Sequence, residues 1–241
     1  SSDVCSSDLY FYAKHKPLPL TAVPLRKIFS GPTCRQMLQC GSHLTVRMFC
    51  MIIMVNSFMH QSSAFGGELL AANSILFQIQ FIMGDILTGL SQAGAIYSGI
   101  AFGEHDRSML NDTLRISFIW AIGFGLLQTV GYYCCRHAIL GCFTNLHSVI
   151  ATAQQYDLFI AFFPLISALG IVYYGVFNGA LYTRPICISM LLTAGCYLTA
   201  YFTLIPLYGN IGLWLAFLIF YIARSSFFTV LRSQAAAKSS F

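Results

Sequence analysis

The sequence predicts an all-α bundle of membrane-spanning helices. Of its 241 residues, 57% are apolar and only 9% are charged, and the mean hydropathy is +0.70, whereas soluble domains carry about 25% charged residues. The apolar runs are continuous rather than alternating. Helices are therefore favoured over the strands of a membrane barrel, because lipid offers no partner for open backbone groups.

Stretches without charged side chains define six spans, since a hydrocarbon core about 30 Å thick needs about 20 apolar residues per helix. The longest stretch, residues 185–223, is nearly twice what one crossing needs. It is expected to turn back between Pro206 and Gly212, because Pro, Gly and Asn favour turns. The predicted spans lie within a six-helix region at 47–232, at about 48–67, 69–102, 114–138, 156–182, 186–206 and 211–231.

The basic residues predict the orientation of the bundle. Lys and Arg accumulate in the cytoplasmic loops of membrane proteins, and once the spans are drawn all but one of the 13 fall on one side. Arg136 is the exception. We therefore expect both termini of this segment in the cytoplasm, and we interpret the net charge of +5 as insertion bias rather than as a nucleic-acid surface. The residues on the majority side are Lys14, Lys16, Arg26, Lys27, Arg35, Arg47, Arg107, Arg115, Arg184, Arg224, Arg232 and Lys238.

The two ends of the chain differ from its middle. "SSDVCSSDL" at 1–9 is polar and matches nothing that follows, so we interpret it as a non-native leader. Residues 10–16 are either the tail of a truncated membrane helix or an interfacial aromatic anchor. Residues 17–46, rich in Pro, are predicted to form a cytoplasmic linker with a short amphipathic helix at 35–44 along the headgroups, and 233–241 a cytoplasmic tail.

Asp85 is the candidate functional residue within the spans. It lies 17 residues after Glu68 and 19 before Glu104, which places it near the middle of the bilayer at about 1.5 Å per residue. A carboxylate at that depth is unfavourable unless it meets water, a cation or a hydrogen-bond donor. Two interpretations stay open: a proton or cation relay, or a structural Asp whose hydrogen bonds hold two helices together.

Other features of the spans concern polar lining and close packing. Asn73, Gln78 and Asn178 are candidates for lining a cavity, although each also suits a hydrogen bond between helices. Small residues repeat every four positions at Ala95, Gly99 and Gly103 and again at Gly175 and Gly179, which predicts close approach of these helices. The sequence contains no nucleotide-binding glycine loop, metal-ligand spacing or nucleophile motif, so we expect neither enzyme activity nor a cofactor.

Three stretches carry a resemblance to a known family. "GELLAANSIL" at 67–76, "AFFPLISALGIVYYGVFNGALYTRP" at 161–185 and "PLYGNIGLWLAFLIFYIARS" at 206–225 together resemble the C-terminal half of MATE (multidrug and toxic compound extrusion) antiporters of the DinF-like branch. The resemblance covers residues 44–230. The Gly-Asn-x-Gly-Leu-Trp block at 209–214 is its most specific part.

The resemblance implies a twelve-helix transporter of two six-helix lobes, of which the six spans form the second. It implies secondary active efflux of drugs or organic cations in exchange for protons or sodium ions, with the ion gradient in place of any cofactor. The implied partners are membrane lipid, a small-molecule substrate and the missing N-terminal lobe. The implied location is the bacterial cytoplasmic (inner) membrane, and ion and substrate sites near the midplane are typical of such repeat-built transporters.

Two acidic residues that the resemblance leads us to expect are absent. DinF-like proteins carry an Asp-Gly pair in the second of these spans and another in the fourth, and those positions are Thr88-Gly89 and Tyr174-Gly175 here. Thr88 and Tyr174 are therefore candidate site residues by position. Asp85 lies three residues before Thr88 on the same helix face and is a candidate substitute.

Two alternatives to cation efflux remain. A flippase for lipid-linked precursors, of the same superfamily, would need basic residues in its cavity for an anionic headgroup, and residues 48–106 contain no Lys or Arg. A membrane scaffold derived from a degenerate transporter would explain the absent aspartates.

Overall fold

Seven helices make up the part of the chain that the computed structural model describes, residues 32–104 and 106–238. Side chains are described up to residue 230, except those of 32, 33 and 36. The chain divides into two compact units, residues 1–41 and 42–241, and the contacts below lie within the second. The helices are α1 Pro32–Ala64, α2 Gly67–Gly103, α3 Arg107–Phe143, α4 His147–Gln154, α5 Asp157–Gly179, α6 Arg184–Tyr208 and α7 Asn210–Lys238.

Six of these helices are long and apolar enough to cross a membrane, as the sequence predicts, and only α4, with eight residues, is too short. The predicted reversal between the last two spans is also confirmed. Gly209 separates α6 from α7 with φ +57°, a left-handed conformation that glycine adopts without the steric penalty of a Cβ. The membrane-length segments are Met37–Ala64, Gly67–Gly103, Arg107–Phe143, Asp157–Gly179, Arg184–Tyr208 and Asn210–Val230.

The start of α1 and the presence of α4 differ from the sequence-based expectation. Residues 32–46, assigned to a linker, and the separate surface helix expected at 35–44 are part of one continuous helix that begins at Pro32. Pro at the first helical position costs no hydrogen bond, which explains this start. Between spans three and four, where no element was predicted, α4 buries Val149 and Ala153. The expectations for residues 1–31 lie outside the described part of the chain.

An aromatic core joins α1, α2 and α7 near the predicted outer end. Trp214 and Phe217 on α7 meet Phe58 on α1 and Phe77 on α2, with ring centroids 4.9–5.8 Å apart. All of these rings are fully or almost fully buried. Tilted and edge-to-face aromatic pairs at this spacing add about 0.5–1.5 kcal/mol each beyond area burial, so this cluster fixes α7 against the first two helices.

The helices α2 and α5 run parallel in direct backbone contact, along a surface we call the α2–α5 seam (Ser91, Ala95, Ser98, Gly175 and Gly179). The Ser91 hydroxyl donates to the Ile171 carbonyl at 2.7 Å, and the Ser98 hydroxyl donates to the Val176 carbonyl at 3.0 Å. A Cβ added to Gly175 would collide with Ser91, and one added to Gly179 with Ala95 and Ser98. The close approach predicted from the glycine spacing is confirmed here, although Gly103 has no neighbouring atom within 4 Å.

Candidate functional site

Asp85 occupies the midpoint of the membrane-length segment Gly67–Gly103. Its side chain is exposed on the surface of the lobe. Among the described residues it has neither a hydrogen-bond nor an ion-pair partner. The structure therefore disfavours the interpretation of Asp85 as a hydrogen-bonded clamp between two helices of this lobe.

Polar residues flank Asp85 on the same exposed stripe of α2. Gln78 and Gln92 lie seven positions before and after it and are both exposed, and a seven-residue step rotates only about 20° around a helix. Phe81, Ile82 and Ile86 of α2 are exposed beside these three residues. The exposed residues of α3 between Ile116 and Val130 are hydrophobic throughout, apart from one glycine. The face of α3 suits lipid, whereas the polar stripe of α2 (Gln78, Asp85, Gln92) calls for water or a polar partner.

Thr88 and Asn178 lie on different helices, at different levels of the bundle. The Thr88 hydroxyl donates to the Gly84 carbonyl of its own helix at 2.8 Å, an internal bond that satisfies it without a ligand. Asn178 is half-buried near the end of α5. It lies beside Gly179, which contacts Ala95, so it is ten residues or about 15 Å further along the bundle than Asp85.

Tyr174 lies under two arginines rather than beside Asp85. The Arg47 guanidinium of α1 lies 4.0 Å from the centroid of its ring, and that of Arg224 on α7 lies 5.9 Å away. Since the neighbouring Gly175 contacts Ser91, Tyr174 is about 9 Å further along the axis than Asp85. The structure thus places Asp85 on the polar stripe of α2 and Tyr174 in a basic cluster with Arg47 and Arg224.

The positions of Arg47 and Arg224 correct the charge assignment made from sequence. Both residues are counted on the cytoplasmic side in the prediction from sequence. The membrane-length segment Met37–Ala64 includes Arg47, which the prediction places before span one, and Arg224 lies within α7, inside the span predicted at 211–231. Arg224 is only 4% exposed. Two basic residues therefore lie within the spans, although residues 48–106 contain no Lys or Arg.

Asn73 lies in a closed hydrogen-bond network at the other end of the lobe, about 18 Å from Asp85 along α2. Its Nδ2 donates to the Ser62 Oγ and the Asn210 Oδ1, both at 2.7 Å. Its Oδ1 accepts from the Asn210 Nδ2 at 3.2 Å and from the Trp214 Nε1 at 3.0 Å. Both amide hydrogens and both lone pairs are used, so Asn73 ties α1, α2 and α7 together.

Replacing Asn73 with Leu is expected to destabilise the protein by about 2 kcal/mol, because Ser62, Asn210 and Trp214 each lose a buried partner. Thermal unfolding of the purified protein measures this. Ser74→Ala is the matched control, since the Ser74 hydroxyl bonds only the Leu70 carbonyl of its own helix at 2.7 Å. Equal melting temperatures for the two variants would contradict a stabilising role for the network.

An ion pair at the predicted outer end accounts for the single basic residue on that side. The Arg136 Nη1 donates to the Asp157 Oδ2 at 3.3 Å, and the Asp157 side chain is 3% exposed against 32% for Arg136. A buried carboxylate at the first position of α5 benefits from the helix N-terminus and from the guanidinium. Arg136, the basic residue predicted to lie apart from the others, therefore neutralises a buried carboxylate.

A groove of about 770 Å³ runs between α2 and α3. Tyr97, Trp120 and Phe124 line it, and Asp106 and Asp112 lie at one end. None of the predicted site residues borders it. The groove opens beside the exposed hydrophobic residues of α3, among them Trp120.

Six membrane-length helices in the described residues define the chain as a multi-pass membrane protein. A family model described as MatE matches residues 44–205. The chain belongs to this family of transporters, which confirms the resemblance drawn from the sequence.

Relatives in sequence and structure agree with this family. The chain is 25% identical over 190 residues to the DNA damage-inducible protein F of Escherichia coli (strain K12), covering 79% of this chain and 41% of that protein. It thus spans about two-fifths of the length of this curated relative.

Solved MATE structures have the same fold. A crystal structure of MATE in the bent conformation has a TM-score of 0.75 at 16% identity, over 83% of this chain and 45% of that one. An outward-facing multidrug resistance MATE family transporter of the MOP superfamily has a TM-score of 0.73 at 17% identity, over 80% and 44%. A MOP superfamily transporter from Pyrococcus furiosus, described as having a binding pocket of reverse polarity, has a TM-score of 0.70 at 16% identity, over 80% and 43%.

Proposed function

We propose that this chain forms one lobe of a secondary active efflux transporter that exports drugs or organic cations in exchange for protons or sodium ions. Membership of the MatE family supports transport. The observation that carries the proposal is Asp85, an unpartnered carboxylate at the midpoint of a membrane-length helix. The chain covers less than half of its relatives, which supports a second lobe in the whole transporter.

The polar stripe of α2 is where the second lobe and a water-filled cavity would meet this one. An exposed carboxylate facing acyl chains would cost several kcal/mol, and the amides of Gln78 and Gln92 would add to that cost. If water and an opposing lobe cover this stripe, the same groups are solvated and available to bind an ion. The Asp85 carboxylate can exchange a proton, hold an organic cation, or share a sodium ion with amide oxygens, which are hard ligands suited to such ions.

Energy for this export would come from the ion gradient across the bacterial inner membrane, without a bound cofactor. The distribution of basic residues favours cytoplasmic termini for this segment. Such an orientation places the basic cluster of Arg47 and Arg224 toward the cytoplasmic side and the Asn73 network toward the outside.

The proposal is tested with the full-length gene product, including its N-terminal lobe, in a bacterial strain that lacks other efflux pumps. Cells expressing the transporter are expected to accumulate less of a fluorescent cationic dye than cells carrying an empty vector. A protonophore, or removal of sodium, should abolish the difference and identify the coupling ion. Equal accumulation in all of these cells would refute efflux and favour a non-transporting scaffold.

A further inference from the structure

Arg47, Tyr174 and Arg224 form a cluster in which two cations share one aromatic ring. The Arg47 and Arg224 guanidinium carbons lie 4.0 Å and 5.9 Å from the Tyr174 centroid. The Nε atoms of both arginines are buried and have no hydrogen-bond partner among the described residues. Arg224 itself is 4% exposed, so its charge is held almost entirely away from water.

No carboxylate of the described residues neutralises this cluster. The ion pair found among them joins Arg136 to Asp157 at the opposite end of the lobe. Cation–π contact with one tyrosine offsets only part of the desolvation cost of a buried charge that has no counter-ion. Two like charges on one ring raise the cost further. The balance indicates that the cluster is completed by an anion.

The geometry suits an anion that enters from one side. Arg47 and Tyr174 are only half-buried, so the cluster is open at their end. At the closed end the Arg224 stem packs on α5 at Gly170, where an added Cβ would lie 3.6 Å from the Arg224 Cγ. Planar guanidinium groups bind phosphate oxygens through paired hydrogen bonds.

The depth of the cluster also matches a phosphate-bearing ligand. Tyr174 lies about 8 Å before the end of α5 at Gly179. A phosphate at this level would sit just below the headgroup region, within reach of both the lipid leaflet and the aqueous side.

We propose that Arg47 and Arg224 form an anion site that binds the phosphate group of a ligand, with Tyr174 as the platform that orients both guanidinium groups. The phosphate comes either from a lipid headgroup or from the aqueous phase. The site is separate from the polar stripe of α2 and does not depend on cation efflux.

The test uses the full-length protein in nanodiscs of phosphatidylcholine, with thermal unfolding as the readout of binding. Inorganic phosphate is added in one arm, and phosphatidic acid is included in the nanodiscs in the other. Stabilisation by inorganic phosphate supports a site for a free anion, and stabilisation by phosphatidic acid alone supports a lipid headgroup site. In either case Arg47→Gln and Arg224→Gln should each weaken the apparent affinity by about tenfold or more.

Arg115→Gln and Arg184→Gln are the matched controls, because both arginines are exposed near the same end of the bundle. Equal loss of affinity in these controls, or equal stabilisation by chloride at the same ionic strength, would overturn the proposal in favour of diffuse electrostatic attraction. Absence of stabilisation in both arms would also overturn it and indicate a carboxylate from another segment as the partner. If Arg224→Gln fails to fold, Arg224→Lys keeps the charge and removes the paired donors, and it should still weaken binding.

Discussion

Replacing Asp85 with Asn is expected to reduce dye efflux by the full-length transporter on the order of tenfold or more, because an amide at the midplane can neither exchange a proton nor neutralise a cation. Protein level and melting temperature should change little. The Asp85 side chain is exposed and has no hydrogen-bond partner among the described residues, and Asn has the same size. The measurement is the initial rate of dye export from loaded cells at matched expression.

Two control variants separate the charge from the position. Asp85→Glu keeps a carboxylate on the same stripe and should retain part of the activity. Glu104→Gln removes an exposed carboxylate just beyond the end of the same helix and should leave efflux unchanged. An Asp85→Asn variant that exports dye at the wild-type rate would remove Asp85 from the transport mechanism.

Replacing Gly179 with Ala is expected to cost about 3 kcal/mol of stability, because the added Cβ would collide with the Ala95 carbonyl oxygen and the Ser98 hydroxyl. Backbone atoms of α2 cannot rotate away as a side chain can, so the two helices must separate or bend. For a chain of this length the melting temperature should fall by ~6–12 °C. Fluorescence-detected size-exclusion chromatography after heating measures the fall.

Gly123→Ala is the matched control for the α2–α5 seam. Gly123 is a helical glycine on the exposed face of α3, with no atom within 4 Å of an added Cβ. Alanine has the higher helix propensity by about 1 kcal/mol, so this variant should be as stable as the wild type or slightly more stable. A Gly179→Ala protein that melts at the same temperature as Gly123→Ala would show that the seam tolerates a side chain.

The spans and the seam could be predicted from sequence because they depend on local information. Membrane length and the absence of charge identify each span without knowledge of its neighbours. The four-residue spacing of Gly175 and Gly179 likewise marks a flat stripe on one helix, although it does not identify Ser91 and Ser98 as the partners.

The candidate site could be predicted only in part, since its geometry depends on how each helix is rotated. Helix α2 is apolar on most of its circumference, so its sequence does not reveal that Asp85 faces outward. Thr88 and Tyr174 are candidates because the family resemblance leads us to expect acidic residues at these positions. The structure places them in different surroundings, since Thr88 bonds its own helix and Tyr174 lies against two arginines.

The burial of Arg224 could not be predicted, because the span predicted at 211–231 contains this residue but does not indicate which side of the helix a neighbouring helix covers. Helix α7 continues to Lys238. Its arginine packs against α5 at Gly170, which has no side chain to exclude it. Short elements are equally difficult, since the eight residues of α4 carry too little periodicity to predict a helix.

The α2–α5 seam limits how this lobe can move. If α2 slid by one residue along α5, the hydroxyls of Ser91 and Ser98 would lose their carbonyl acceptors, and a Cβ would be driven into the opposing backbone. Sliding is therefore sterically blocked, and α2 and α5 form one rigid body. Asp85 lies on α2 and Tyr174 on α5. The distance between them must therefore stay constant if the lobe tilts. A conformational change that exposes one of them to the opposite side of the membrane must carry the other with it.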